Sequence, residues 1–149
     1  MQNHEINVQD LNIEDLIPHR NGMKLIERII SVTEEMAITQ SVVNTAWPFF
    51  DSDSNSTLSL IVIELVAQTA GVSNGLDRIR TFGFDSKKEG WIVGIKNASF
   101  FIDKISLHQT IITRTETHFK YEKFREVAGT SYSDDMLIGE VTLQLFQVS

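Results

Sequence analysis

The sequence predicts an α+β fold in which a curled antiparallel sheet wraps around one long buried central helix. Two observations carry that reading. Leu58-Ser-Leu-Ile-Val-Ile-Glu-Leu-Val-Ala-Gln-Thr-Ala-Gly71 is the most apolar run in the chain, and a helix this apolar must be buried almost all round. After it, Thr115, Thr117, Phe119 and Tyr121, then Val141, Leu143 and Leu145, recur at the two-residue period of strands that bury one face. A sheet covers the whole circumference of a helix only by curling round it.

Taken in order, Asn12 to Ile17 reads as a short helix with Glu14 and Asp15 in its first turn, where acids favour the dipole, and with Pro18 ending it. His19-Arg-Asn-Gly22 makes a turn. Between Met23 and Asn44 the apolar residues come in short runs and alternations, which predicts two strands joined near Thr33-Glu34-Glu35. Trp47-Pro-Phe-Phe50 leads into a polar loop, Asp51 to Thr57, whose last residues are good N-cap types. The central helix is therefore expected to begin near Leu58. It can run to about Arg80, emerging into solvent at Asp77, Arg78 and Arg80, and Gly71 and Gly75 mark a face against which something packs closely. Beyond a loop at Phe84 to Gly90, three β-rich segments follow: Trp91 to Ile102, Thr110 to Phe124, and Met136 to Val148, the last preceded by a turn at Asp134-Asp135. The 149 residues fit one domain with a single sizeable core.

Composition narrows the function. Hydrophobic residues make up 42% and charged residues 22%, without repeats or low-complexity tracts, which describes an ordinary globular chain rather than a disordered one. The net charge of −7 argues against nucleic acid, which needs a clustered basic footprint, and against an anionic membrane surface. With no cysteine, disulfides, thiol catalysis and thiolate zinc sites are excluded. Met1-Gln-Asn-His-Glu5 lacks the plan of a signal peptide, and the central run is too short and too polar to span a bilayer, so a cytoplasmic location is expected. His4, His108 and His118 have no ligand spacing; neither a metal nor another cofactor is expected.

The acid inside the apolar run carries the functional reading. An ionised carboxylate is almost never fully buried without a partner, because desolvation costs several kcal/mol or raises the pKa until the group is neutral. Glu64 is therefore paired, protonated or facing a pocket. Each makes it a candidate acid or base, although structural networks perturb such groups too.

Three segments resemble the β-hydroxyacyl-ACP dehydratases of the hotdog fold: Leu16-Ile-Pro-His-Arg-Asn-Gly-Met-Lys-Leu-Ile-Glu-Arg-Ile29, Ile63-Glu-Leu-Val-Ala-Gln-Thr-Ala-Gly71 and Gly94-Ile-Lys-Asn-Ala-Ser-Phe-Phe101. The family's central helix carries a Glu, Ala-Gln, Gly pattern, and Glu64, Ala67, Gln68 and Gly71 stand at those positions. One departure matters. The better known members place a catalytic histidine in a Gly-His-Phe-Pro loop that ends in Pro-Gly. Here that position falls at about Phe50, and the Pro-Gly positions are Leu58-Ser59. The chain is similar to a smaller branch of predicted 3-hydroxyacyl-ACP dehydratases, linked to aryl-polyene-like lipid synthesis, that keeps the Pro-His and Glu-x-x-Ala-Gln elements without this loop. By that resemblance His19 replaces the missing histidine.

Dehydration of a 3-hydroxyacyl thioester needs a base for the C2 proton and an acid for the leaving hydroxyl. An imidazole suits the first task at neutral pH, and a glutamic acid kept neutral by an apolar wall suits the second. The expectation is His19 as base and Glu64 as acid, with helix N-terminal amides near Leu58, Ser59 and Leu60 polarising the thioester carbonyl. The alternative for His19 is a turn histidine bonded near Pro18. Gln68, one turn after Glu64, either orients its carboxyl or bonds a neighbouring strand. Gly71 leaves room for substrate or for close helix to sheet packing. Trp47, Phe49 and Phe50 line an acyl channel or belong to the core.

An acidic acyl carrier protein, or the phosphates of coenzyme A, would need local cations, and Arg78, Arg80, Lys87, Lys88, Lys120, Lys123 and Arg125 are the candidates. Three functions follow: dehydratase or hydratase chemistry on a 3-hydroxyacyl thioester, thioester hydrolysis by water activated at Glu64, or a non-catalytic acyl-binding partner subunit. The resemblance implies a homodimer with sheets joined edge to edge, which would also protect an exposed sheet edge.

Overall fold

A computed structural model of the chain describes residues 11–86 and 89–148. One turn of helix, α1 (Ile13–Leu16), and a 3-10 turn at Asn21–Met23 lead into β1 (Arg28–Val32) and β2 (Met36–Val42). The short strands β3 (Phe50–Asp51) and β4 (Ser56–Leu58) precede the central helix α2 (Ile61–Phe82). The rest is β: β5 (Glu89–Phe100), β6 (Lys104–Ser106), β7 (Thr110–Tyr121), β8 (Phe124–Ser133) and β9 (Met136–Val148). A six-stranded antiparallel sheet runs β1-β2-β7-β8-β9-β5, and β3-β4-β6 form a second, smaller sheet. Bulges in β1, β5, β7 and β9 interrupt the register and help the large sheet coil around α2.

The architecture is the expected α+β one, with three local corrections. Helix α2 starts at Ile61 rather than Leu58, because Ser56 to Leu58 pair with β6 and the Ser59 N–H donates to the Asp103 carbonyl at 3.0 Å. It also stays buried through Ile79, with Arg78 inside, and ends at Phe82, where Gly83 adopts φ 88° and donates its N–H to the Ile79 carbonyl. The third correction concerns the segment Thr110 to Phe124, which is one strand and a turn. Glu122 takes φ 52°, and a further strand, β8, runs back from Phe124. At Asp134-Asp135 both φ values are positive, as a two-residue hairpin loop of the I′ type requires, and β9 follows.

Strand β8 is built for close approach rather than for apolar bulk. Its inward residues are Arg125, Val127, Gly129, Ser131 and Ser133. A Cβ on Gly129 would lie 2.5 Å from Val66 Cγ1, so only glycine lets α2 settle here. The hydroxyls that accompany this packing bond one another, Thr113 with Ser131 at 2.8 Å and Thr39 with Thr69 at 2.8 Å.

Two apolar clusters hold α2. Its N-terminal half, Ile61, Val62, Leu65 and Val66, packs with Leu25, Trp47, Ile111, Ile138 and Leu143. The C-terminal half, Val72, Leu76 and Ile79, packs with Leu16, Ile17, Ile26 and Ala37. Each such side chain contributes about 1.5–3 kcal/mol when fully buried. Gly71 and Gly75 face α1 rather than the sheet. A Cβ at Gly71 would meet Ile17 Cγ2 at 3.0 Å, and one at Gly75 would lie 2.4 Å from the Leu16 carbonyl oxygen. Because that neighbour is backbone, Gly75→Ala should destabilise the fold by about 1–3 kcal/mol. Gly90→Ala meets its nearest atom at an ordinary 3.6 Å and should stay within about 0.5 kcal/mol, both read from urea unfolding midpoints.

Candidate active site

The contact of Glu64 with His19 comes from two chain segments joined by a buried amide. Gln68 is fully buried. Its Oε1 accepts the Leu25 N–H at 2.9 Å, and its Nε2 donates to the Met23 carbonyl at 2.7 Å and to Glu64 Oε1 at 3.0 Å. Gln68 therefore bonds the Glu64 carboxyl and also ties down a neighbouring segment, which is the approach to β1 rather than a strand. A few residues upstream, Arg20 donates to the carbonyls of Glu14, Ile17 and His19, which fixes the turn after Pro18. Held from both sides, His19 places Nε2 3.3 Å from Glu64 Oε1, within a single chain.

Both side chains are about seven-tenths shielded from solvent, at 29% and 30% exposure. The hydrogen bond from His19 lowers the Glu64 pKa from its ordinary 4.5, the bond from Gln68 lowers it further, and burial opposes both without prevailing. This corrects the expectation of a carboxyl kept neutral by apolar walls. In the resting site Glu64 is an anion receiving hydrogen bonds. His19 Nδ1 is buried and has no hydrogen-bond partner among the described residues, so Glu64 is what orients the ring.

His19 and Glu64 stand at one end of an open cavity of about 220 Å³. Along α2 its floor is a single stripe, Glu64, Ala67, Gly71, Asn74, Gly75 and Arg78, at the spacing of one helix face. Trp91, Ile92, Leu145 and Phe146, from β5 and β9, form the opposite wall. Arg78 and Arg125 close the far end. Each is 4% exposed, which removes both from the class of surface docking cations. Arg125 donates to Asn74 Oδ1 and, at 2.5 Å, to Asp77 Oδ2.

The other anticipated residues lie elsewhere. Leu58, Ser59 and Leu60 do not line the cavity, and the amides of Ser59, Val62 and Ile63 are bonded to the carbonyls of Asp103, Ser59 and Leu60. Phe50 and Trp47 belong to the core cluster, while Phe49 is exposed. Arg80 pairs with Glu34 at 2.8 Å and Lys120 with Asp77 at 2.8 Å. Lys87, Lys88 and His4 lie outside the described residues. Asn74 is a cavity residue that the sequence reading omits, and Arg125 enters it only as a surface cation; counting ten and fourteen residues along the helix face from Glu64 reaches Asn74 and Arg78. Among the described residues no cluster suited to a metal ion occurs, and no helix is long and apolar enough to cross a membrane.

A helix enclosed by a coiled antiparallel sheet, with a carboxylate near the helix start facing a histidine, defines a hotdog-fold protein of the dehydratase type. Residues 11–149 match the ApeP-like family, described as ApeP dehydratase, and the chain belongs to that family. Among solved structures it is similar to the dehydratase heterocomplex ApeI:P from Xenorhabdus doucetiae, at 20% identity and a TM-score of 0.84 over 93% of this chain and 92% of that one. Cj0977, a sigma28-regulated virulence protein from Campylobacter jejuni, aligns at 15% identity and a TM-score of 0.70, covering 93% and 97%. A hypothetical thioesterase with coenzyme A from Streptococcus pneumoniae aligns at 8% identity and a TM-score of 0.60, covering 82% and 85%. At these identities the structural likenesses establish the fold. A comparison with curated protein sequences gives no match.

A carboxyl with a lowered folded pKa stabilises the fold above its ordinary value of 4.5 and loses that contribution as pH falls through the lowered value. The melting-temperature difference between wild type and Glu64→Gln should therefore be largest near about pH 7 and shrink toward about pH 3. A difference that grows on acidification would contradict this ionisation state.

Proposed function

We propose that the chain is a 3-hydroxyacyl thioester dehydratase, acting on acyl groups carried by an acyl carrier protein in fatty acid or polyene-type lipid synthesis. The observation that supports it is the His19–Glu64 contact at 3.3 Å, which supplies a base and an acid although the His-Phe-Pro loop is missing.

The pair can pass one proton across its contact. With one proton more than neutral imidazole and carboxylate, it exists as an imidazolium facing an anion or, after transfer across the contact, as neutral imidazole beside a carboxylic acid. Substrate that displaces water favours the neutral form. His19 Nε2 then takes the C2 proton, the C2–C3 double bond forms, and Glu64 protonates the departing C3 hydroxyl, which leaves as water. The imidazolium returns its proton to Glu64, and the pair is restored. Gln68 keeps the carboxyl aimed through this cycle.

The assembly we propose is edge to edge along β5, with a second hotdog chain, a copy or a different subunit. Strand β5 pairs with β9 on one side only and exposes Trp91, Ile92, Val93 and Ile95. The heterocomplex of the similar dehydratase supports such a pairing. Arg80, Lys87 and Lys88 are proposed to meet the acidic carrier. Light scattering of the chain alone should give a dimer mass if the partner is a copy, and Val93→Lys should lower that mass.

Turnover of a 3-hydroxyacyl thioester, followed by enoyl absorbance and free thiol together, tests the chemistry. Enoyl formation should fall by at least about 100-fold in both His19→Ala and Glu64→Gln. Thiol release without enoyl would make the protein a thioesterase. Acyl binding with neither signal from folded wild type, alone and with its partner, would make it an acyl-binding subunit.

A further inference from the structure

The far end of the cavity holds two guanidinium groups whose burial is unexplained by the chemistry at His19 and Glu64. Arg78 is 4% exposed, and its hydrogen-bond partners among the described residues are neutral: Nε donates to the Ser86 hydroxyl at 3.0 Å and Nη2 to the Asp15 backbone carbonyl at 2.7 Å. Asp15 acts on it only through space, and burial pulls its pKa below the ordinary guanidinium value. Arg125, equally buried, engages Asn74 and Asp77, but its Nε–H has no partner among the described residues. Asp77 is shared with Lys120, so one carboxylate answers two cations.

Buried charge without a contacting counter-charge is costly, and a buried unsatisfied N–H adds to that cost. Both penalties fall on residues that line the cavity, and an oxyanion lying there would supply the counter-charge that Arg78 lacks. The helix face sets the distance. At about 1.5 Å per residue, Asn74 stands about 15 Å and Arg78 about 21 Å along α2 from Glu64.

We propose that Arg78 and Arg125 form an oxyanion subsite of the substrate channel, holding an anionic group of the thioester well away from the reacting carbons. This rests on the thioester reading above and adds to it a requirement on the substrate. Two parts of such a substrate carry an oxyanion at that reach: the phosphate of a phosphopantetheine arm, and a carboxylate at the far end of the acyl chain. Guanidinium forks bind both alike.

Calorimetric titration of the full chain, in whatever assembly it adopts, separates these sources. One pair of ligands is a 3-hydroxyacyl pantetheine and its 4′-phosphopantetheine counterpart; the other is two acyl pantetheines of equal length, one ending in methyl and one in carboxylate. In wild type the anionic member of one pair should bind at least about tenfold tighter than its neutral counterpart. A phosphate preference assigns the subsite to the arm, and a carboxylate preference assigns it to the tail. Arg78→Leu and Arg125→Leu should each reduce the preference below about threefold. Arg125→Lys, which keeps the charge facing Asp77 but removes the fork and its Nε–H, should weaken it as well and serves if the leucine variant fails to fold. Glu64→Gln, which stops turnover on the reading above, should leave the preference intact. Equal binding within both pairs, or a preference that survives all the arginine substitutions, overturns the subsite. If neutral thioesters still turn over in that case, the dehydratase reading stands without it.

Discussion

The buried amide of Gln68 is the constraint on which this molecule depends. One side chain satisfies the Leu25 N–H, the Met23 carbonyl and an oxygen of Glu64. It lies where the two apolar clusters meet along α2, so the approach to β1 is fastened to the helix at its middle. Its orientation has no freedom. A backbone N–H must meet its oxygen and a backbone carbonyl its nitrogen, so the amide turns a donor toward Glu64 and favours the anionic carboxylate there. The approach of His19 to Glu64 thus depends on the bonds that Gln68 makes to Leu25, Met23 and Glu64. Leaving the two backbone groups unpaired would cost about 1–3 kcal/mol each, which makes the tether stiff.

Much of the fold was legible because the central helix and the last strand follow simple periods. Glu64 was legible for the same reason, as the charged exception in an apolar run. Strand β8 escaped because its inward face is Arg125, Val127, Gly129, Ser131 and Ser133. Selection there is for closeness to Val66, and closeness carries no hydrophobic pattern. The helix start differs because Ser and Thr suit an N-cap and a short strand alike, and pairing with β6, remote in sequence, decides for the strand.

The site was legible in its residues and not in its electrostatics. An apolar run around Glu64 argues for a raised pKa. The lowering comes from His19, whose arrival beside it depends on how the turn after Pro18 is held by Arg20. Arg78 and Arg125 were misread in the opposite sense. Cations near a helix end and a hairpin turn are usually at the surface, and only tertiary contact with Asn74, Asp77, Ser86 and the α1 backbone shows that these two point inward.

These features share one origin in the way the sheet fails to close. The large sheet wraps α2 with β2, β7, β8 and β9 closest, and α1 covers it at Gly71 and Gly75. Between α1 and β5 a strip of helix remains, and on that strip lie Glu64, Ala67, Gly71, Asn74 and Arg78. A helix can carry acids, amides and cations along one face only where the enclosing layer leaves a gap. The gap is bounded by β5, whose outer edge is unpaired and apolar. A second chain laid along that edge would narrow the mouth of the channel, shield His19 and Glu64 further, and strengthen every charge interaction inside it. Substrate binding and assembly would then be linked, each favouring the other by the same free energy. The open wall is therefore where the proposed chemistry and the proposed association would meet.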